Sequence, residues 1–220
     1  MVRTIARCAV AAAVLLGGLG ARAALADAWS DANCGGGSAA RDTWKRSQAK
    51  DYGMPPVSEG YALNGGCYKL NDHDDTPALG AGDGGEGTDC SGFVFRVWAM
   101  KLDGSANYRY WDYAKDVHGP YYSWHFYWPD STDPFKQISK AMTSTLPMDA
   151  FVWYRDGGAD RHIALLYSQS TTSDLMIHAH NNSVGVEISE EIYRQQSDVR
   201  AVMRKNWTPE CYPKCADPTV

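Results

Sequence analysis

The feature that most constrains this chain lies after Pro147, where short apolar runs alternate with polar turns. Ala150-Phe151-Val152-Trp153-Tyr154 is followed by the turn signal Asp156-Gly157-Gly158. His162 to Tyr167 forms a second run, followed by polar residues Gln169 to Asp174. Leu175 to His180 and Val184 to Ile188 form a third and a fourth. Runs this short, bounded by turn residues and rich in β-branched and aromatic side chains, read as strands, and the short connections make them antiparallel. A further strand is expected near Val199 to Met203. Upstream, Asp89 is placed to cap a helix in which Phe93, Val94, Val97, Trp98 and Leu102 recur at helical spacing, with Gly104 as the stop. A helix followed by an antiparallel β-meander defines an α+β fold. Shorter helices are expected through Arg41 to Ala49 and near Phe135 to Met142. The second would close a long aromatic segment spanning 105–147. Glycine-rich residues 64 to 89 read as loop.

Hydrophobic residues make up 44% of the 220 and charged residues 21%, so a core can be buried and wholesale disorder is excluded. A formal charge of −5 argues against a nucleic-acid partner. The first residues read as a secretory signal peptide covering 1–26. Arg3 and Arg7 supply the positive region, Cys8 to Leu19 the apolar one, and Ala24-Leu25-Ala26 the small residues at the cleavage site, with Ala23 as the alternative. The apolar stretch is too short to span a bilayer. The expectation is therefore a secreted protein with no membrane association once the leader is gone. Residues 27–54 read as an N-terminal extension, 55–205 as the principal domain and 206–220 as a cysteine-containing tail. Beyond Cys8, five cysteines remain: Cys34, Cys67, Cys90, Cys211 and Cys215. Exported chains tend to pair their cysteines, and an odd count leaves one thiol over. Cys90, alone at the start of an apolar helix, is the expected free one. The other four allow three pairings.

A free thiol at a helix start suits nucleophilic chemistry, because unpaired N–H groups and the helix dipole favour the thiolate. Ser91 and Gly92 are small, so a carbonyl could approach, and the N–H groups of Cys90, Ser91 and Gly92 are candidate oxyanion donors. His162, just after a glycine turn, is placed to serve as general base. His178 in the following run could orient that imidazole, with His180 or Asn181 on the same reach of strand as alternatives. The Asn71-Asp72-His73-Asp74-Asp75 run matches no calcium loop and reads as solvated acid rather than a metal site. Asp83-Gly84-Gly85-Glu86-Gly87 lacks a lysine and is not a phosphate loop. Tyr121, Tyr122, Trp124, Tyr127 and Trp128 could cover a core or form a stacking wall.

Five segments in order resemble the NlpC/P60 cysteine peptidases, secreted enzymes that cut peptidoglycan stem peptides. Thr88-Asp89-Cys90-Ser91-Gly92-Phe93-Val94 looks like their nucleophile motif, and Tyr61-Ala62-Leu63-Asn64-Gly65-Gly66 like the upstream element whose tyrosine borders the active site. Pro147-Met148-Asp149-Ala150-Phe151-Val152-Trp153 is similar to the Pro-Gly-Asp-Leu-Val-Phe strand. Arg161-His162-Ile163-Ala164-Leu165-Leu166-Tyr167 is similar to the His-Val-Gly-Ile-Tyr strand, and Met176-Ile177-His178-Ala179 to the Ile-His-Ala strand. The resemblance implies a papain-like α+β fold with the nucleophile helix packed on the meander. It implies a Cys90, His162, His178 triad with Tyr61 in the cleft, no cofactor or metal, and a cell-wall peptide as substrate cleaved next to a D-amino acid. The chain departs from the pattern in a longer stretch before Asp89, in the aromatic segment 105–147, in Met148 and Ala164 at glycine positions, and in lacking an Arg-Thr-Ser segment. These differences bear on the substrate, so an N-acetylmuramoyl-L-alanine amidase or acyltransferase using the same site is the second expectation. A non-catalytic binding or toxin-like module is the third.

Overall fold

The computed structural model describes residues 43–67, 87–100, 118–181 and 183–210. The leader, Cys34, the Asn71–Asp75 run, Cys211 and Cys215 lie outside these residues, as do Leu102 and Gly104. Among the described residues no helix is long and apolar enough to cross a membrane.

The order is α1 (Arg46–Gly53), β1 (Gly66–Cys67), β2 (Gly87–Thr88), α2 (Cys90–Val97), α3 (Ser123–Tyr127), β3 (Phe135–Ile138), β4 (Ala150–Arg155), β5 (Asp160–Ser168), β6 (Asp174–Asn181), β7 (Gly185–Glu191) and β8 (Arg200–Arg204). β1 and β2 form a small antiparallel pair, and the other six build one sheet in the order β3-β8-β4-β5-β6-β7. Every pairing in it is antiparallel, so the molecule is α+β with the expected meander at β4 to β7. The final strand does not extend that meander. It returns to the far edge of β4, where Ala150 faces Val202.

Strand alternation gives the sheet two buried faces. Ala150, Val152, Ile163, Leu165 and Ile177 join Phe93, Val94 and Val97 of α2 in the main core. Phe151, Ala164, Leu166, Met176, Tyr193 and Ala201 form a second cluster on the other face. α2 packs on β5 and β6, which brings its N-terminus to the sheet.

Two expected elements are corrected. Phe135 to Met142 is not a helix: Phe135–Ile138 is a strand pairing with β8 from Phe135 opposite Arg204 to Ile138 opposite Ala201. The edge of β8 needs a partner, and Phe135 buries completely when it takes that place, so tertiary pairing overrides local pattern. Of the helix expected through Arg41 to Ala49, the described residues form a helix over Arg46–Gly53. α2 also ends earlier than Gly104 suggested. Ala99 adopts a left-handed φ of 47°, its N–H bonds the Arg96 carbonyl, and the Met100 N–H bonds the Phe95 carbonyl at 3.2 Å. This is a Schellman closure, which satisfies the last carbonyls with alanine where glycine is usual.

At the entry to β4, Arg46 of α1 donates to the Pro147 carbonyl at 2.7 Å and pairs with the Asp149 carboxylate at 2.7 Å. Burial raises the Asp149 carboxyl above its ordinary range despite the arginine. Between them Met148 is fully buried with φ 69°, the left-handed region that glycine occupies at little cost.

Candidate active site

The start of α2 is held by a closed polar cluster. Asp89 accepts from the Gly92 N–H at 2.8 Å and from the Asn64 N–H at 3.0 Å, which caps the helix. The Ser91 hydroxyl donates to the same carboxylate at 3.0 Å. His118, fully buried, places Nε2 2.9 Å from Asp89 and 3.0 Å from Ser91 Oγ, while Nδ1 lies 2.8 Å from the Gly119 carbonyl. Burial pushes the Asp89 carboxyl up. The charge on His118 and the bonds from His118, Gly92 and Asn64 outweigh that, and the pKa falls below its ordinary value. His118 and its role in this cluster were not identified from the sequence. A histidine 29 residues from its aspartate carries no local signal.

This cluster corrects two expectations about Ser91 and Gly92. The Gly92 N–H is spent on Asp89, and the Ser91 N–H is directed at the Cys90 sulfur. Among the three expected oxyanion donors, the Cys90 N–H is the one these bonds leave. Gly92 is small for a packing reason: a Cβ there would collide with the Gly65 carbonyl oxygen and crowd Thr88.

Cys90 is a free, buried thiol. Its sulfur lies 3.7 Å from the Ser123 hydroxyl at the start of α3 and accepts from the backbone N–H of Ile163. That contact has a structural origin. Pairing of β5 with β6 begins at Leu165, so nearer the helix the two strands part and the Ile163 N–H is available to the sulfur. His162 is the preceding residue. Burial, and next the negative charge of Asp89, push the thiol up to about 12. The helix terminus does not make a thiolate here, because desolvation exceeds what the N–H groups return.

The histidines meet across the parted strands. His162 Nε2 is 2.6 Å from His178 Nδ1. His178 Nε2 is 2.9 Å from Ser189 Oγ, and the Ser189 hydroxyl donates to Glu191 at 2.9 Å. This chain fixes its own protons. A carboxylate only accepts, so Ser189 gives its hydrogen to Glu191 and accepts from His178, which places the His178 proton on Nε2. A neutral His178 then has a bare Nδ1, which accepts from His162 Nε2–H. The nitrogen of His162 that remains without a proton is Nδ1. Burial holds both rings neutral: His162 falls well below 6.5, and His178 falls to about 3, with neighbouring histidines adding to each. His180 stacks on His178 with ring centres 4.8 Å apart and turns its Nδ1 to Glu187 at 2.5 Å. Asn181 ends β6 and is exposed. Trp153, opposite His162 on β4, packs on that ring at 5.0 Å.

Tyr61 bridges to Thr88, two residues before Cys90, and its phenol is raised by burial first and then by the charges of Cys90 and Asp89. The same residue lines an open depression with Leu63, Asn181, Ser183 and Val184. Cys90, Tyr61, His162 and His178 thus converge on one end of the sheet. Ser123 joins them, a residue whose short helix the sequence reading did not separate from the aromatic segment. The aromatic residues divide. Tyr121 packs on Phe126 and Phe135 in the core, whereas Trp124 and Trp128 are exposed.

Compared with known protein families, with curated proteins and with solved structures, the chain finds no match.

Proposed function

We propose that this protein is a cysteine hydrolase of amide bonds in peptidoglycan stem peptides, built on a papain-like fold of the NlpC/P60 type. The observation that carries the reading is the hydrogen-bonded chain Glu191–Ser189–His178–His162, which leaves one imidazole nitrogen of His162 bare, on the residue just before Ile163, whose N–H meets the free Cys90 sulfur. The peptide substrate, the preference for a bond next to a D-amino acid and the secreted location come from the sequence resemblance.

In this reading the Cys90 sulfur attacks the substrate carbonyl as its proton passes to His162 Nδ1. The high thiol pKa and low imidazole pKa make that transfer part of the attack rather than a step before it. His178 accepts from His162 Nε2 throughout and supports the imidazolium that forms. The Cys90 N–H faces the developing oxyanion, with the Tyr61 hydroxyl and Ser123 hydroxyl at hand. The C–N bond then breaks. The leaving amine takes the proton from His162, and the acyl group stays on sulfur as a thioester. Water attacks the thioester, gives one proton to His162 and releases the acid, after which the thiol recovers its proton. The depression beside Tyr61 offers a place for the peptide.

Digestion of purified peptidoglycan followed by mass analysis of the fragments tests the reading. The wild-type protein is expected to release fragments with new peptide termini, and Cys90→Ala to release none. New termini at the sugar–peptide junction would instead indicate an amidase. Equal fragment release by Cys90→Ala would remove the cysteine mechanism.

A further inference from the structure

Behind the proposed triad, on the side of His178 away from His162, three side chains converge that hydrolysis does not use as a set. His178, His180 and Glu187 each offer one metal-ligating atom, and these atoms lie within 4.8 Å of one another. Glu187 Oε1 is 2.5 Å from His180 Nδ1 and 3.8 Å from His178 Nε2. In a tetrahedral zinc site with bonds of about 2.0 Å, ligand atoms stand roughly 3.3 Å apart. The present spacing brackets that value, and small side-chain rotations would reach it. The parts are already aligned: His178 and His180 alternate on one strand with stacked rings, and Glu187 sits opposite His178 on β7. His178 is fully enclosed, whereas the His180 and Glu187 side chains are 38% and 30% exposed, so an ion could enter from solvent.

We propose that His178, His180 and Glu187 form a binding site for Zn²⁺, and that the bound ion switches the hydrolase site off by reversing the tautomers of His178 and His162. Two imidazoles and a carboxylate suit zinc and disfavour calcium and magnesium, which require oxygen ligands. Coordination uses the lone pair of His178 Nε2, so the proton on that nitrogen and the bond to Ser189 are given up. His178 keeps one proton, now on Nδ1, where it is donated to His162 Nε2. His162 must then hold its own proton on Nδ1, the nitrogen that would accept from Cys90. The base then has nowhere to put the thiol proton. The metal site stands on its own geometry; its inhibitory effect rests on the hydrolase reading.

Calorimetric titration of the chelator-treated protein with zinc chloride tests the site. One ion is expected to bind. Affinity should fall by roughly tenfold or more in His180→Gln and in Glu187→Gln, as loss of a ligand costs at least as much as loss of an outer-shell partner. Cys90→Ala should bind as wild type. Binding that survives in His180→Gln and disappears in Cys90→Ala would overturn the site, as would absence of binding below about 1 mM, a level at which binding is only marginal. Nitrogen-15 spectra of the histidine rings test the switch without substrate: on zinc saturation the His162 proton is expected to move from Nε2 to Nδ1. An unchanged His162 ring in a zinc-bound protein would overturn the switch. Where hydrolysis is found, zinc should abolish it in wild type and spare it in His180→Gln. A protein that binds zinc and reverses the tautomer but hydrolyses nothing would leave the metal site standing and refute the hydrolase reading instead.

Discussion

Two networks of buried histidines flank Cys90, and they differ in one respect that separates structure from chemistry. Around the helix start, His118 directs one ring nitrogen to the Gly119 carbonyl and the other to the Asp89 carboxylate and Ser91. Both nitrogens face oxygen acceptors, and no lone pair is left. Across the parted strands, Glu191, Ser189, His178 and His162 hand protons in one direction, and the last member ends on a nitrogen without a proton. The histidines of both networks are buried and both networks contain a charge-bearing acid. Proximity to the thiol therefore does not identify a base; an unspent nitrogen does.

The largest expected effect that sharpens this contrast is the pair His162→Ala and His118→Ala. The first should lower hydrolysis by roughly 10⁴-fold or more with the fold retained, the size of loss seen when a triad member that acts as a unit is removed. The second should leave hydrolysis by the folded protein within a few-fold of wild type, yet cost about 2–3 kcal/mol of stability, because Asp89 loses its buried partner. Denaturant unfolding and assay of the same preparations decide it, and a reversal of the two results would break the comparison.

Next in size is His178. Replacement by alanine leaves His162 free to rotate and to choose either tautomer, and a loss of roughly 10²- to 10⁴-fold in turnover is expected. Asparagine, whose side-chain oxygen can accept from Nε2–H, should recover part of it. Ser189→Ala acts one step further away. A loss of roughly tenfold in turnover is expected, with the substrate concentration for half-maximal rate unchanged.

The two networks also respond to pH in different windows. His162 and His178 have pKa values depressed from 6.5, His178 to about 3. An unfolded chain takes up protons at these positions before the folded one does, so the stability present above pH 6.5 is lost as pH falls toward 3. His125, lowered to about 4 mainly by burial, adds to that loss. Asp89 is depressed below 3.8, so its contribution persists until the pH drops below the ordinary carboxylate range. Urea midpoints measured from pH 7 to pH 3 are expected to fall first through the strand histidines. A His178→Gln variant should show a shallower fall between pH 6.5 and 4. A curve unchanged by that substitution would contradict the depressed histidine.

The smallest effect concerns the thiol itself. With Cys90 buried and raised to about 12, alkylation by iodoacetamide at pH 7 should be slower than that of a free cysteine, and should accelerate on unfolding. Rapid labelling of the native protein would show an ionised, accessible sulfur and restore the simpler picture of a helix-activated thiolate.

Local chemistry made much of this molecule legible in advance. Asp89 as a cap, the four strands of the meander and the singular position of Cys90 could all be read from residue type and spacing, because caps, turns and alternation act within a few residues. The tertiary structure decided what depends on partners distant in the chain. Phe135–Ile138 became a strand because β8 offered an edge. Gly92 was confined by the Gly65 carbonyl rather than left open for a ligand. The direction of the protons in His178 was set by Ser189 and Glu191 on a neighbouring strand. The ionisation of Cys90 turned on how deeply it was covered. Residue type says which groups can give or take a proton; only the assembled surroundings, through burial and the far ends of hydrogen bonds, settle which of them still can.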